Sequence, residues 1–510
     1  MCRQGEIDDR KRKQMIAYNT QTPRIYALPK IHKNDMPLRQ IVSTVDSPAT
    51  ALSIYIDEIL KKILHRNYDV TNSMDLVKRL RRIKLNKLEI LLSFDIIMLF
   101  PSIPVEFLLQ ILENRWREIK RHTNMSKELF MNIMKFIITD SSFFEYNNTV
   151  YKQIDGVAMG QNIAPTLANL VTDEILDTIL PKLTFLPKLL VKYVDDLFAI
   201  IPANKVNEML KALNSVHPSI QFTHELEHED GTLPYLDIKL IKAEDGRIIT
   251  DWYNKETASN KLLNFHSNHP FRMKCNVAFN MFYRVLSLSD VRFHDKNIKK
   301  CTDILRKNSY PLNIITKQMH RAFGKINGTQ PAPAPNTDSN PKYRSVVYVK
   351  GLSEKVNCLL SHTANDIKIA PKPIRQLKST LYTKLKQKRD VDETTHCIYK
   401  VPCKGDDNNP CEKCYVGQTK NSFKNRKRTH RHDTMPNNNK GQTALAVHVG
   451  ESKHTPDFDN AIILATERNW SKRLTMESLH IQSNTTCNFR VDRERMSSSY
   501  CALLKSHNNK

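Results

Sequence analysis

Three aspartates stand beside apolar, β-rich segments of the sequence, where an uncompensated carboxylate would be costly. Asp95 follows an apolar run in LLSFDIIMLFPSIP (91–104), and Asp195 and Asp196 lie between the two apolar runs of LLVKYVDDLFAII (189–201). The second segment has the pattern of a tight β-hairpin with both carboxylates at its turn. Adjacent carboxylates in apolar surroundings repel each other and lose hydration unless a cation compensates them. The pattern therefore predicts a divalent metal site.

Mg²⁺ is the metal that this arrangement favours, because it binds one or two carboxylates together with the phosphate oxygens of a substrate. Two ions about 4 Å apart can activate a 3′-hydroxyl and stabilise a leaving pyrophosphate. The chemistry predicted for the three aspartates is therefore nucleotidyl transfer. Taken alone, Asp95 would more often cap a helix or turn, and its order before Tyr193-Val194-Asp195-Asp196 favours the metal site.

A second group of reactive side chains lies near the C-terminus. Two short strands are predicted at CIYKVPC (397–403) and around YVG (415–417), and the helix after them carries five Lys/Arg between positions 424 and 431. Pairing of the strands would bring Tyr399 and Tyr415 together, and two phenols beside an arginine can polarise a water against a phosphodiester. The basic run 424–432 is also typical of a nuclear localisation signal, and a nuclear location is expected.

Five of the ten cysteines lie between positions 397 and 487, which favours metal binding over a disulfide framework. Cys411 and Cys414 form a CxxC half-site for tetrahedral Zn²⁺. The completing ligands are left open among Cys403, His430, His432 and, as an alternative pair, His448 and His454.

Length and charge limit the classes of protein to which this chain can belong. The 510 residues predict two or three domains, and 78 Lys+Arg against 53 Asp+Glu give a net charge of +25, which points to nucleic acid as partner. With 40% hydrophobic residues most of the chain is expected to fold. No run approaches 18 uncharged apolar residues and the first residues are charged, so a soluble intracellular protein with no membrane partner is expected.

The pattern along the chain predicts an α+β unit followed by a smaller unit. A Pro-, Asn- and Ser-rich linker is predicted at 325–344, before a basic connector at 345–394. Its run 371–390 is either a solvated helix face or a phosphate-binding segment. The predicted divisions are an N-terminal stub (1–20), an α+β unit (21–264), a helical region (265–324), the linker, the connector, a smaller unit (395–490) and a tail (491–510).

The first group of motifs resembles the reverse transcriptases. YVDD (193–196) is similar to their metal-binding motif, and FD followed by LF at 94–100 is similar to the preceding catalytic motif. LPKIHK (28–33), LPYLDI (233–238) and LNFHSNHP (263–270) resemble the Penelope-like retroelements in particular. The resemblance implies a right-hand polymerase, with fingers and palm at 21–264 and a thumb-like helical region at 265–324. It also implies two Mg²⁺ ions at Asp95, Asp195 and Asp196.

The same resemblance implies a nucleotide pocket. Lys30 and Arg39 would hold the triphosphate, and Phe100 would exclude a 2′-hydroxyl and so select deoxynucleotides. Gly160 and Gln161 would line the same pocket. Gln161 stands where the family usually has Ser, which implies altered nucleotide handling.

The second group of motifs resembles the GIY-YIG nucleases, small α/β domains, with CIY (397–399) and YVG (415–417) as the two halves. The resemblance implies an endonuclease domain at 395–490. In it Arg426 would stabilise the transition state, Tyr399 and Tyr415 would assist the nucleophile, and Glu477 would bind one Mg²⁺. Asn488 matches a late polar position of that core.

Two further features belong to this resemblance. The first glycine of the motif is replaced by Cys397, which would weaken the nuclease. Penelope-like nuclease domains also carry a Cys/Cys/His/His cluster, which supports Zn²⁺ at Cys411 and Cys414.

The predicted function is that of an RNA-directed DNA polymerase coupled to an endonuclease that nicks target DNA to prime synthesis. Its expected partners are an RNA template, a DNA primer or target, and deoxynucleoside triphosphates. One alternative is a templated RNA polymerase, which Phe100 disfavours. The other is a non-catalytic nucleic-acid-binding remnant of a truncated mobile element, because the chain begins almost directly at the fingers motif.

Overall fold

The computed structural model describes residues 7–31, 35–328, 342–363, 366–373, 390–405, 410–435 and 443–489. The chain divides into two compact units. Unit 1 comprises Met1–Lys11, Pro23–Thr44 and Ala49–Leu385, and unit 2 comprises Arg12–Thr22, Val45–Pro48 and Lys386–Lys510. The expected tail, 491–510, and most of the basic run 371–390 lie outside the described residues.

The strands of unit 1 are β1 (Arg24–Pro29), β2 (Leu38–Ser43), β3 (Glu89–Ile96), β4 (Phe143–Tyr146), β5 (Thr149–Lys152), β6 (Leu189–Tyr193), β7 (Asp196–Pro202), β8 (Phe222–Leu226), β9 (Thr232–Tyr235), β10 (Ile238–Lys242), β11 (Ile248–Trp252), β12 (Lys342–Val347) and β13 (Ile367–Lys372). The helices up to the end of this unit are α1 (Asp9–Met15), α2 (Thr50–Leu60), α3 (Ser73–Leu80), α4 (Leu99–Ser102), α5 (Val105–Asn114), α6 (Trp116–Lys120), α7 (Lys127–Lys135), α8 (Ala164–Ile179), α9 (Val206–Asn214), α10 (Phe271–Leu288), α11 (His294–Lys307), α12 (Leu312–Ile326) and α13 (Leu352–Thr363). A π-helical turn, Phe136–Asp140, follows α7.

The central sheet has the order β6-β7-β3-β8 and is antiparallel throughout. It is buried on both faces: Leu197 and Ala199 of β7 pack into the core with α5, α7 and α8, whereas Phe198 and Ile200 pack into a second core with α3 and β9–β11. Burial on both faces explains why β7 is a continuous apolar run and does not alternate. The sheet is the element that carries the three predicted aspartates.

A second sheet of order β2-β1-β4-β5 carries the predicted fingers segment, and β9–β11 form a three-stranded meander. Helices α10, α11 and α12 pack around their own core, which includes Phe282, Leu305 and Ile315. The expected helical region after residue 265 is therefore present as three helices.

The predicted linker is shorter than the composition indicated. Helix α12 continues to Ile326 and β12 begins at Lys342, so helix and strand occupy both ends of the range 325–344, and residues 329–341 lie outside the described residues. The predicted connector contains a β-α-β element, in which β12 and β13 run parallel with α13 between them.

Unit 2 contains β14 (Cys397–Pro402), β15 (Cys414–Thr419), α14 (Phe423–Asp433), α15 (Ala444–Ser452), β16 (Ile462–Thr466) and α16 (Trp470–Gln482). Its sheet has the antiparallel order β15-β14-β16. The predicted stub contributes to this unit: the side-chain amide of Asn19 donates to the carbonyl of Thr395 at 2.9 Å and accepts from the Thr395 amide at 2.8 Å. The two strands and the basic helix expected after Cys397 are present in this order.

Among the helices that the structure describes, none is long and apolar enough to cross a membrane.

Candidate active sites

The three aspartates of unit 1 meet at one end of the central sheet. Asp95 lies at the end of β3 and is the direct register partner of Asp196, the first residue of β7. Tyr193 and Asp196 are also paired, so Val194 and Asp195 form a two-residue turn between β6 and β7. The hairpin predicted from YVDD is therefore present, and it brings together carboxylates that are 100 positions apart.

The turn is held in a costly backbone conformation. Val194 has φ +60°, in the left-handed region that β-branched residues rarely adopt. Such a residue costs about 1–2 kcal/mol and persists only where its surroundings fix it. One fixing contact is the Tyr235 hydroxyl, which donates to the backbone carbonyl of Asp196 at 2.8 Å.

Burial and the charges of neighbouring carboxylates disfavour the ionised forms of Asp195 and Asp196. Burial, followed by the charges of Asp195 and Asp95, raises the pKa of Asp196 to about 6. Burial and the charge of Asp95 also raise the pKa of Asp195, against the opposing charges of Arg39 and Lys30. A group of acids that resists ionisation without a cation is suited to divalent metal ions, and the donor set of three carboxylates fits Mg²⁺.

The aspartates line a cleft of about 1290 Å³ within unit 1. Lys30 follows β1, Arg39 lies on the adjacent β2, and both line the cleft together with Phe100 at the start of α4. Lys255, which the sequence reasoning missed, lines the same cleft, and its charge acts to lower the pKa of Asp196. The cleft thus holds basic side chains beside the carboxylates.

Of the predicted pair, Gly160 lines the cleft and Gln161 packs in the core. Gly160 lines the cleft with φ +121°, and a Cβ there would lie 2.5 Å from the backbone oxygen of Val42, so only glycine fits. Gln161 is 7% exposed, and its amide donates to the carbonyl of Ile137 at 3.0 Å. The side chain of Gln161 therefore anchors the π-helical turn in the core, which corrects the expectation that it lines the nucleotide pocket.

A buried ion cluster at β6 supports the turn between β6 and β7. The side chain of Lys192, one residue before Tyr193, is fully buried, and its ammonium lies 2.8 Å from Asp69 and 3.1 Å from Asp173. It also donates to the side-chain oxygen of Asn169 at 2.7 Å. Because Asn169 and Asp173 belong to α8, this lysine ties β6 to the helix beneath the sheet. The only sequence signal was a lysine within an otherwise apolar strand.

In unit 2, the predicted tyrosine and arginine are in direct contact. Tyr399 on β14 is fully buried, and its hydroxyl accepts a hydrogen bond from Arg426 Nε at 3.1 Å. The same hydroxyl lies 2.8 Å from Nε2 of His430, one turn after Arg426 on α14. Burial and the charge of Arg426 lower the pKa of His430 to about 3, so this imidazole stays neutral. His430 therefore belongs to the tyrosine cluster.

Tyr415 completes this group from the neighbouring strand. The Tyr399 and Tyr415 rings are 6.3 Å apart, and His430 lies 5.1 Å from the Tyr415 ring. Burial, and to a lesser degree the nearby charge of Glu477, raise the pKa values of both phenols, so Glu477 on α16 faces the same cluster. The side chains predicted to act together are thus close in space, and their roles stay predictions.

Two other residues of the predicted nuclease motif, Asn488 and Cys397, make contacts that stabilise the sheet of unit 2. Asn488 acts as a partner for the edge of β15, accepting from the Val416 amide at 3.0 Å and donating to the Val416 carbonyl at 2.7 Å. Cys397 is fully buried and packs in the core of the sheet, so the strand accommodates its side chain. The glycine that this fold requires is Gly417, where a Cβ would lie 2.6 Å from the Tyr399 hydroxyl.

A cluster of two cysteines and two histidines lies elsewhere in unit 2. Cys403, Cys411, His448 and His454 each offer a ligand atom within 4.8 Å of the others. Cys411 Sγ lies 3.7 Å from His448 Nε2, and Nδ1 of His454 is buried without a hydrogen-bond partner among the described residues. Two thiols, two imidazoles and an unsatisfied ring nitrogen fit the donor set of a tetrahedral zinc site.

This cluster corrects part of the predicted ligand set. Cys414 is buried at the start of β15, and its thiol contacts the carbonyl of Thr485 at 3.3 Å, so it is not among the clustered ligands. His430 contacts Tyr399 instead, and His432 is exposed on α14. Of the predicted half-site only Cys411 remains, while Cys403 and the alternative histidine pair complete the group.

Two family models match the chain. Residues 31–222 match the model described as reverse transcriptase (RNA-dependent DNA polymerase), and residues 261–320 match an animal helix-turn-helix domain. The stretch that carries the three aspartates therefore matches the reverse transcriptase model. A search of curated proteins gave no match.

Solved structures of polymerases are similar at low identity. The telomerase from Candida albicans in complex with a fragment of telomeric RNA has a TM-score of 0.43 and 10% identity, covering 71% of this chain and 65% of that one. An apo telomerase from Candida tropicalis, truncated from its C-terminal domain, gives a TM-score of 0.36 and 10% identity, with 47% and 56% covered. A sicinivirus RNA-dependent RNA polymerase gives a TM-score of 0.37 and 10% identity, with 62% and 71% covered. The chain thus spans less than two thirds of the length of the two telomerases.

Proposed function

We propose that this protein is the RNA-directed DNA polymerase of a Penelope-like retroelement. The observation that carries the proposal is the register pairing of Asp95 with Asp196, with Asp195 at the adjoining turn, inside the reverse transcriptase domain. Bound at these carboxylates, Mg²⁺ would supply the charge that activates a primer 3′-hydroxyl and stabilises pyrophosphate. The protein's own contribution is to hold three acids in one place with little freedom to move.

The cleft also supplies groups for a deoxynucleoside triphosphate. Arg39 lies on β2, and Lys30 directly follows the paired strand β1. Both line the cleft, so they would bind phosphate oxygens, which the arginine can engage in pairs. Phe100 would occupy the space needed by a 2′-hydroxyl. The substrates of this site are accordingly an RNA template, a DNA primer and deoxynucleotides.

Primer extension tests this polymerase assignment. The purified chain is incubated with a DNA primer on an RNA template, Mg²⁺ and deoxynucleotides, beside an Asp195→Asn/Asp196→Asn variant and the matched surface control Glu113→Gln. We expect extension by the parent and the control and none by the double variant. Salt-dependent binding of the duplex without extension by any of the three would favour the non-catalytic binding protein instead.

We propose further that unit 2 is a GIY-YIG endonuclease that nicks target DNA and exposes the 3′-hydroxyl for priming. The contact of one buried phenol with both Arg426 and the neutral His430 supports this. A guanidinium can stabilise charge on a phosphate, and Glu477 would hold one Mg²⁺ nearby. Because the pKa of His430 is lowered to about 3, this neutral imidazole would orient the Tyr399 hydroxyl and would not itself take up a proton. These groups together have what phosphodiester hydrolysis needs.

Plasmid nicking tests the endonuclease. Tyr399→Phe removes only the hydroxyl that links Arg426 to His430, so nicking of supercoiled DNA in Mg²⁺ should fall about 100-fold or more. Tyr18→Phe is the matched control, since Tyr18 is an exposed phenol of the same unit. Equal nicking rates for the two variants would contradict the proposed role of Tyr399.

The Cys/His cluster would hold one structural Zn²⁺ beside the nuclease. Metal analysis of the purified chain should give one zinc per chain for the parent and for Cys414→Ser, and none for Cys411→Ser. Loss of zinc in Cys414→Ser as well as in Cys411→Ser would instead support the CxxC half-site predicted from the sequence.

A further inference from the structure

A cavity in unit 2 is lined in part by Arg426. Its volume is about 370 Å³, within the range of about 300–1,000 Å³ typical of pockets for small ligands. Gln418 at the end of β15, Asn425 and Arg426 on α14, and Trp470 and Arg473 on α16 contribute to its wall. None of the described residues that line it is acidic. A pocket of this lining is suited to an anionic ligand.

Arg473 gives the pocket a buried positive charge. It is 4% exposed, and its guanidinium donates to the side-chain oxygen of Gln418 at 2.5 Å and to the backbone carbonyls of Glu467 and Arg468 at 2.9 and 3.3 Å. All three acceptors are neutral oxygens. A buried cation held by neutral groups attracts an anion, and Lys420 at the rim adds to that attraction.

Trp470 gives the pocket an aromatic surface. It is the first residue of α16, and the preceding Asn469 caps the helix by accepting from the Lys472 amide at 3.0 Å. The indole is 61% exposed although it lines the cavity. A large exposed ring beside basic groups is the combination with which proteins bind a nucleic acid strand, the base stacking on the ring and the phosphate contacting the cations.

We propose that this pocket binds one nucleotide of the target DNA strand next to the bond that is cut. The base stacks on Trp470, the side-chain amides of Asn421 and Asn425 face its polar edge, and its phosphates contact Lys420 and Arg426. Arg426 also donates to Tyr399, so it connects the pocket to the tyrosine cluster. This inference rests on the proposed endonuclease function, and it adds a site that reads the nucleotide beside the cut.

The test follows the emission of Trp470 itself, without cleavage. The chain has three tryptophans, so the variant Trp116→Phe/Trp252→Phe leaves Trp470 as the single reporter. With EDTA present, it is titrated with a short single-stranded deoxyoligonucleotide and with an abasic one of equal length and charge. We expect quenching by the first and little by the second, because only a base can stack. If the double variant unfolds, the difference in emission between the parent and Trp470→Phe gives the same signal.

Three results would overturn the proposal: no quenching, equal quenching by the abasic strand, or stronger quenching by an RNA oligonucleotide. Where nicking is measurable, Trp470→Ala should raise KM about 10-fold with kcat retained. Trp470→Phe keeps an aromatic ring and should return KM most of the way to the parent value. Phe489→Ala, which removes an exposed ring of the same unit, should leave KM unchanged. Quenching without any nicking would sustain the pocket and reject the endonuclease, so the two claims fail separately.

Discussion

Replacement of Lys192 by methionine should destabilise unit 1 far more than an ordinary surface substitution. The ammonium is fully buried between Asp69 and Asp173 at 2.8 and 3.1 Å, and methionine keeps the volume while removing the charge. Two carboxylates would then face each other without a cation. Burial already raises the pKa of Asp173 even with Lys192 present, which shows how poorly this environment hydrates an anion.

The expected loss of unfolding free energy in Lys192→Met follows from how deeply each partner is buried. Removal of one member of a buried pair typically costs about 3–5 kcal/mol, because the remaining charge is left uncompensated. Since the Asp69 side chain is 26% exposed and can recover some hydration, we expect the lower end, about 3 kcal/mol. At roughly 2 °C for each kcal/mol in a large domain, the melting temperature should fall by about 6 °C.

Thermal unfolding of the parent, Lys192→Met and the control Lys188→Met measures this effect. Lys188 pairs with Glu89 at 2.7 Å, but its side chain is 32% exposed, so its loss should cost about 1 kcal/mol or less. Asp173→Asn added to Lys192→Met should restore part of the stability. The deficit of Lys192→Met should also shrink as pH falls, because the unpaired carboxylates take up protons in the folded state.

Equal melting temperatures for Lys192→Met and Lys188→Met would refute this reasoning. So would a deficit that does not change between pH 8 and pH 5. Either result would mean that solvent reaches the cluster, and that Lys192 does not fix the position of the YVDD turn.

Three further predictions concern the two sites. Phe100→Val should raise incorporation of ribonucleotides relative to deoxynucleotides by about 10- to 100-fold in primer extension, and unchanged discrimination would remove Phe100 from the sugar pocket. Gly417→Ala should lower plasmid nicking about 100-fold and leave primer extension intact, since its Cβ would lie 2.6 Å from the Tyr399 hydroxyl and displace that ring. Asp196→Asn should raise the melting temperature of the metal-free protein above pH 6, where the parent carries the ionised group. The gain should vanish below pH 4, because the pKa of Asp196 is raised from 3.8 to about 6, and a gain that persists at pH 4 would contradict this cause.

The polymerase motifs could be predicted because the residues that carry their chemistry lie within short sequence patterns. Asp195 and Asp196 interrupt two β-rich runs, and this pattern predicts a hairpin with both acids at its turn. The pairing of Asp95 with Asp196 then follows once the two strands are neighbours. The burial of Gln161 could not be predicted, since it depends on a carbonyl of the π-helical turn 24 positions earlier in the chain.

The Cys/His cluster shows where a local sequence pattern misleads. Cys411 and Cys414 have the spacing of a half-site, but Cys414 is the first residue of β15 and its thiol contacts the chain at Thr485. The histidines that join the cluster come from α15 and the loop after it, so only the tertiary fold selects them. For His430 a signal was available, because its spacing of four from Arg426 places both on one face of α14.

The central claim, RNA-templated DNA synthesis at the three aspartates, is tested most directly by single-nucleotide incorporation. A DNA primer on an RNA template is incubated with one complementary deoxynucleotide and Mg²⁺, and the parent is compared with Asp95→Asn and with Glu113→Gln. The account predicts incorporation by the parent and by Glu113→Gln and none by Asp95→Asn. Incorporation by Asp95→Asn at the parent rate would contradict the assignment of the metal site.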